Sequence, residues 1–253
     1  MAELKLTVLI ENSAGEELIP EHGLSILLDY RGHRFLLDAG TSGIFAVNAE
    51  RMGADLSTVE AAFLSHGHFD HSDGLSALFA VNPHVTVLAR TGVTAPEYHG
   101  ERYIGVNPYL FQHHGKRFDL SDQPRQPFDG LWLVPDSVPH EQSVVLETED
   151  GLVILNSCCH AGADKVVESI LAHFPGQSVR ALIGGFHLMG KGGISTMGPS
   201  PEEILALGSR LFSSLKVEQV WTGHCTGAPA FALLRGAFPA QVNALSTGLV
   251  LNF

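Results

Sequence analysis

Cysteine is scarce in this 253-residue chain: Cys158, Cys159 and Cys225 are the only three. They are too few and too unevenly spaced for a disulfide framework, which points to a reducing compartment. Positive charge is scarce as well. Fifteen Lys and Arg against 27 Asp and Glu give a formal charge of -12, which leaves no broad basic surface for a phosphate backbone and excludes nucleic acid as an expected partner. No apolar run is long enough to span a bilayer, and the opening residues 1–10 lack the charged, apolar and small-residue regions of a secretory leader. A cytoplasmic protein without membrane contact is expected. Low-complexity tracts are absent too, and apolar and charged shares of 45% and 17% describe a globular chain long enough to bury its own core.

Histidine, by contrast, is abundant, with 14 copies. His33, His84, His99, His113, His114 and His173 stand beside turn or polar signals without partner spacing and read as surface or loop residues. The remainder follow a pattern set by the strands.

Strands are predicted at Leu4–Ile10, Leu24–Tyr30 and Arg34–Leu37, the last two joined by a tight turn at Arg31-Gly32-His33. A helix from an N-cap at Ser42 through Met52, closed by Gly53, precedes a buried strand at Val59–Ser65. The second half repeats the theme, with strands near Leu131–Val134, Ser143–Glu147, Leu152–Asn156, Val179–Ile183, Gln219–Thr222 and Gly248–Asn252. Helices are predicted at Ala163–His173, from Pro201 to about Leu215, and near Pro229–Arg235. Two similar halves of mixed strands with covering helices suggest an α+β fold of the αββα sandwich type, two sheets flanked by helices, with a plain three-layer α/β fold as competitor. The chain reads as a single domain, 1–253. Between about 91 and 130 the pattern breaks into an insertion or lid. Its Tyr98, Tyr103, Tyr109, Phe111, Arg102 and Arg117 either lie over a ring-bearing anion or fill a small satellite core.

The densest chemistry is Ser65-His66-Gly67-His68-Phe69-Asp70-His71, four candidate metal ligands directly after an apolar strand. On such a turn His66 and His68 can point to one side and Asp70 and His71 to the other, so the loop can serve two metal ions. One loop cannot complete two coordination spheres. Further histidines duly follow predicted strands: His160 in Cys158-Cys159-His160-Ala161-Gly162, His187 in Gly184-Gly185-Phe186-His187-Leu188, and His224 in Gly223-His224-Cys225-Thr226-Gly227. Each lies at a strand's carboxyl end, where α/β folds build sites, and each is bracketed by glycine. Any one of them alone would read as a structural histidine; the recurrence favours ligands.

The run His66-x-His68-x-Asp70-His71 resembles the signature of the metallo-β-lactamase superfamily without a gap. Leu36-Leu37-Asp38-Ala39-Gly40 is similar to that superfamily's upstream acidic turn, which implies that Asp38 orients ligands from behind, a turn residue being the alternative. Glu11-Asn12, Glu21-His22-Gly23, Ser65-His66-Gly67-His68, Cys159-x-Ala161-Gly162, Gly184-Gly185-Phe186-His187-Leu188 and His224-Cys225-Thr226-Gly227 resemble, over nearly the whole chain, one branch. These are the metal-dependent hydrolases named 7,8-dihydropterin-6-ylmethyl-4-(β-D-ribofuranosyl)aminobenzene 5′-phosphate synthases. The resemblance implies His160 as third ligand beside His66 and His68, with His224 joining Asp70 and His71 at a second ion. His140, in Pro139-His140-Glu141-Gln142, competes with His160 and is otherwise a surface or pocket-edge residue.

No Asp follows in the bridging position, so the ions would share only water or hydroxide, or Cys159 would contribute; Cys158 reads as buried packing. Two divalent ions are expected, zinc first, with iron and manganese as alternatives. Catalysis would then fall to Asp70, as ligand and proton acceptor, and to His187, which either donates to the substrate's anion or packs beneath the metals. The resemblance implies a hydrolase acting on a phosphate ester, lactone or similar small anion. The alternatives are a pterin-linked transferase in methanopterin-type cofactor synthesis and a metal-binding sensor without turnover, against which Asp70 argues. Oxidoreductase chemistry at two irons would need a flavin domain or an acid-rich surround, and neither is visible.

Overall fold

The computed structural model describes residues 3–253; Met1 and Ala2, which open the segment read above for a leader, lie outside the described residues. The chain divides into two compact units. The first comprises the described residues up to 123 with 139–142 and 246–253, and the second 124–138 and 143–245.

In the first unit the elements run β1 (Leu4–Ile10), β2 (Ser25–Tyr30), β3 (His33–Leu37), α1 (Ile44–Arg51), β4 (Ala61–Phe63), α2 (Phe69–Ser72), α3 (Leu75–Val81), β5 (Thr86–Ala89), the two-residue strands β6 (Tyr98–His99) and β7 (Arg102–Tyr103), α4 (Pro108–His114) and β8 (Phe118–Leu120). The chain's last strand, Val250–Asn252, joins β1 at the edge, giving a seven-stranded sheet in the order 250–252, β1, β2, β3, β4, β5, β8. Pairing is antiparallel as far as β3 and parallel beyond it. The β2–β3 turn is tighter than expected: Tyr30 pairs with His33, and Arg31 and Gly32 both take positive φ, 49° and 85°, the two-residue turn whose twist matches the strands it joins. Helix α1 starts one residue later than predicted, with Gly43 at the cap; the Ser42 hydroxyl donates to Glu21 Oε1 at 2.5 Å and accepts from Ile44 N–H at 3.3 Å. One face of the sheet packs through Leu9, Leu27, Leu36, Ala62 and Val87 against Phe45 and Ala49 of α1 and Leu75, Leu78 and Phe79 of α3.

The second unit contains β9 (Arg125–Phe128), β10 (Leu131–Pro135), β11 (Gln142–Thr148, all but its first residue), β12 (Gly151–Leu155), α5 (Ala163–His173), β13 (Val179–Gly184), the hairpin β14 (Met189–Gly190) and β15 (Gly193–Met197), α6 (Pro201–Ser209), β16 (Gln219–Thr222), α7 (Ala228–Ala237) and β17 (Val242–Ala244). Its sheet also has seven strands, in the order β17, β16, β13, β12, β11, β10, β9. The neighbours β12, β13, β16 and β17 are parallel, so the loops after them leave one edge. Helix α5 spans the predicted residues and buries Ala163, Val166, Val167 and Ile170, a single stripe at helical spacing. It packs with Ile204 of α6 and Leu234 of α7 on Val145, Ile154, Leu182 and Val220. Helix α6 opens on a full capping box between Ser200 and Glu203. Its expected continuation to Leu215 is a π-turn at Arg210–Ser214.

Two mixed sheets flanked by helices are therefore present. The segment expected to be irregular from 91 to 130 holds short elements, and Phe118–Leu120 and Arg125–Phe128 are edge strands of the two sheets. Among the described residues no helix is long and apolar enough to cross a membrane.

Candidate metal centre

In the first unit the signature loop leaves β4 and runs straight into α2. Behind it, Asp38 follows β3 with φ 55° and is buried at 1% exposure. Its carboxylate accepts three hydrogen bonds, from Ser65 N–H at 2.7 Å, Ser65 Oγ–H at 2.7 Å and His71 Nδ1 at 2.8 Å. A carboxylate only accepts, so each contact fixes where a proton sits. With its hydroxyl proton given to Asp38, Ser65 Oγ accepts from His66 Nδ1 at 2.9 Å. His66 Nε2 is then left as a lone pair, and His71 Nε2 likewise. His68 is set from the other side: its Nε2 donates to Glu97 Oε2 at 2.7 Å, leaving Nδ1 as a lone pair 3.1 Å from His66 Nε2. Burial pushes the His68 imidazole below the ordinary histidine range, with the Glu97 charge opposing.

Asp70, 7% exposed, holds Oδ2 3.6 Å from His71 Nε2 and 3.3 Å from His22 Nε2. His140, read above as pocket-edge or competing ligand, has its ring 6.0 Å from that of His66 and 5.6 Å from that of His68, and its Nδ1 lies 3.2 Å from Glu97 Oε1. His68, Glu97 and His140 thus present ligand atoms within 4.8 Å of one another. Glu97 was not singled out by sequence, and His22 only as part of a motif.

In the second unit His160, His187 and His224 follow β12, β13 and β16, at the carboxyl edge of the parallel strands. The imidazoles of His160 and His187 are 4.4 Å apart, and His187 is exposed. Cys159, His187 and His224 all adopt left-handed backbone, with φ 49°, 50° and 45°, a conformation that costs a non-glycine residue about 1–2 kcal/mol. Two glycines make the close packing of these loops feasible. A Cβ on Gly184 (φ 138°) would stand 1.9 Å from Asn156 O, and one on Gly185 2.4 Å from Cys225 Sγ.

Asn156 Oδ1 accepts from Cys159 N–H at 2.7 Å, and Cys159 packs within the unit's apolar core. The thiols beside His224 are Cys158 and Cys225, whose ligand atoms lie with that of His224 within 4.8 Å. Cys225 Sγ accepts from His187 N–H at 3.3 Å. Burial raises the Cys225 thiol, but the hydrogen bond with Cys158, the nearby His224 charge and the contacts with His187 outweigh it and hold the thiol well below its usual range. None of the three cysteines forms a disulfide.

Of the histidines read as surface residues, His33, His84, His99, His113 and His173 are exposed. His114 is half-buried, its ring 4.8 Å from Phe79.

Residues 18–176 match the model of the metallo-beta-lactamase superfamily, and the chain belongs to that superfamily and has its fold. It is 25% identical, over 99% of its own length and 97% of the relative's, to the 7,8-dihydropterin-6-methyl-4-(beta-D-ribofuranosyl)-aminobenzene-5′-phosphate synthase of Methanocaldococcus jannaschii. Among solved structures it resembles Tm1679, a metal-dependent hydrolase of the beta-lactamase superfamily, at 26% identity and a TM-score of 0.83 with 99% of both chains covered. The zinc-bound PqqB of Methylobacterium extorquens shares the fold at 16% identity and a TM-score of 0.61, over 98% of this chain and all of that one.

The residues of the first unit suit a divalent ion of the kind this superfamily binds. Two metal–nitrogen bonds of 2.0–2.1 Å at a tetrahedral angle separate their nitrogens by about 3.3 Å, close to the 3.1 Å between His66 Nε2 and His68 Nδ1.

Proposed function

We propose that this chain is a metal-dependent hydrolase that turns bound water on a small anionic substrate such as a phosphate ester or lactone. The observation that carries the reading is the hydrogen-bond chain of the first unit: Asp38, Ser65 and Glu97 take up the outward protons of His66, His68 and His71, so every one of these rings turns a lone pair inward. Such a set has little use except to hold a cation. In this reading the signature loop supplies His66, His68, Asp70 and His71, with Asp38 in support, and the resemblance adds His160 and His224 as further ligands; Cys159, packed in the apolar core, takes no part.

Divalent ions held by these residues would lower the pKa of bound water toward neutrality and stabilise negative charge on the attacked group. Asp70 would serve both as ligand and as proton acceptor. His187, exposed beside His160, donates a hydrogen bond to the substrate's anionic oxygen. Imidazoles with a carboxylate suit zinc, with iron or manganese as alternatives. The acidic composition favours a small molecule over nucleic acid as the partner, and three thiols without a disulfide fit a cytoplasmic setting.

A second reading, favoured by the full-length match to the named synthase, makes the same centre a transferase joining a dihydropterin to an aminobenzene ribofuranosyl phosphate. A sensor without turnover is disfavoured by the presence of Asp70.

Elemental analysis of protein purified without added metal, beside His68→Ala and His224→Ala variants, tests the centre. About two equivalents of metal, lowered by both substitutions, are expected; unchanged content in both variants would sink the reading. Turnover of phosphate esters and lactones without any pterin substrate then separates hydrolase from transferase.

A further inference from the structure

The carboxylate of Glu97 touches two histidines at once. Oε2 accepts from His68 Nε2 at 2.7 Å, and Oε1 lies 3.2 Å from His140 Nδ1. All three side chains are largely shielded, at 16% exposure for His68 and 21% for Glu97 and His140, so water competes weakly for these contacts. The segment that carries Glu97 is itself tied to the signature loop. Phe69 N–H donates to Ile104 O at 2.9 Å, Ile104 N–H donates to Glu97 O at 2.9 Å, and the Arg102 guanidinium sits 4.6 Å over the Phe69 ring.

His68 differs from its neighbours in one respect. His66 and His71 are protonated on Nδ1 and turn Nε2 inward, whereas His68 must be protonated on Nε2 and turn Nδ1 inward. Neutral imidazole exchanges between these two tautomers at little cost, so an external acceptor must hold the proton on the outer nitrogen. Asp38 accepts from Ser65 and from His71 Nδ1, and it is Glu97 that accepts from His68 Nε2 at 2.7 Å.

We propose that Glu97 is a positioning residue that fixes the Nε2-protonated tautomer of His68 and, through its other oxygen, the ring of His140, so that the segment around residues 97–104 sets the readiness of the signature loop for metal. The inference rests on His68 being a ligand, as argued above, but its first readout does not require metal.

Long-range ¹H–¹⁵N spectra of the histidine rings in metal-free protein report each tautomer directly. In wild type His68 should be protonated on Nε2. Glu97→Gln, whose amide oxygen still accepts from one ring, should keep that pattern, while Glu97→Ala should populate both tautomers. Competition with a chromophoric chelator for zinc should then show affinity about 10–100-fold weaker in Glu97→Ala, the usual effect of losing a ligand's outer partner, and largely restored in Glu97→Gln. If Glu97→Ala does not fold, Glu97→Asp, too short to reach both rings, carries the same comparison. A His68 tautomer unchanged in the Ala or Asp variant, with zinc affinity within about twofold of wild type, overturns the proposal. Absence of zinc binding by wild type would instead overturn the metal centre, leaving the tautomer result to decide the role of Glu97.

Discussion

The two units position their histidines by different means. In the first, four candidate ligands sit within six consecutive positions, and side-chain hydrogen bonds from Asp38, Ser65 and Glu97 set their protons. In the second, three histidines stand at three separate strand ends, and the backbone carries the burden: left-handed Cys159, His187 and His224, and glycines at 184 and 185 that leave room for neighbouring loops. A polar network adjusts protonation and direction together, whereas a strained backbone adjusts direction alone. That contrast makes the first unit the chemically tuned side and the second the geometrically tuned one.

The sharpest way to break the contrast is Asp38→Ala, which strands three buried donors at once. A loss of roughly 3–5 kcal/mol is expected from denaturant unfolding of the metal-free protein. Asp38→Asn should be milder in stability, yet should still lose metal because its amide opposes the His71 proton. Equal stability of the Ala variant and wild type would remove Asp38 as the organiser.

In the second unit the counterpart is Gly184→Ala. A Cβ 1.9 Å from Asn156 O on backbone at φ 138° should cost about 3 kcal/mol, a fall in Tm of roughly 6–12 °C. A variant that melts with wild type would show that the loop relaxes freely and that the backbone does not carry the position.

A smaller effect separates the units by residue type. At His224, φ 45°, glycine relieves strain that alanine keeps, so His224→Gly should be more stable than His224→Ala by about 1–2 kcal/mol. At His66, which is not among the residues with positive φ, the order should reverse, with Gly below Ala by a fraction of that amount. Matching orders at the two positions would erase the distinction.

The mildest expectation concerns pH. Burial holds the His68 imidazole below its ordinary value of about 6.5, so below that value the unfolded chain binds more protons than the folded one. The stability attached to neutral His68 is then fully present above about 6.5 and is lost as pH falls through the depressed folded value. Thermal melts of metal-free protein across this window should show the decline, and His68→Gln should flatten it. An equally steep decline in that variant would assign the effect to another group.

How much of this was legible in sequence follows the same division. The signature loop could be read because its ligands are neighbours in the chain, and Asp38 because it sits in a recognisable acidic turn. His160, His187 and His224 were legible as strand-end residues bracketed by glycine. Glu97 was not, since it meets His68 across 29 positions from a segment without periodicity, and only the folded chain brings the two together. Helix α3 carries Leu75, Leu78 and Phe79 at helical spacing, but at seven residues it is too short for that pattern to stand out beside the histidine loop. The π-turn after α6 carries no pattern distinct from a continuing helix, so the expected end at Leu215 marked the element but not its character. The role of Cys225 was hidden too, because its contact with His187 N–H depends on two loops meeting.

The chain leaves the first unit at about residue 124, returns for residues 139–142 and leaves again before coming back for 246–253. The brief return is firmly held: Gln142 N–H donates to Ser65 O at 2.9 Å, its Nε2 donates to Leu64 O at 2.9 Å, and Arg90 Nη1 donates to Glu141 O at 3.0 Å. Neither unit is therefore a continuous stretch of gene. A cut at any single point of the coding sequence would accordingly leave part of one unit joined to the other.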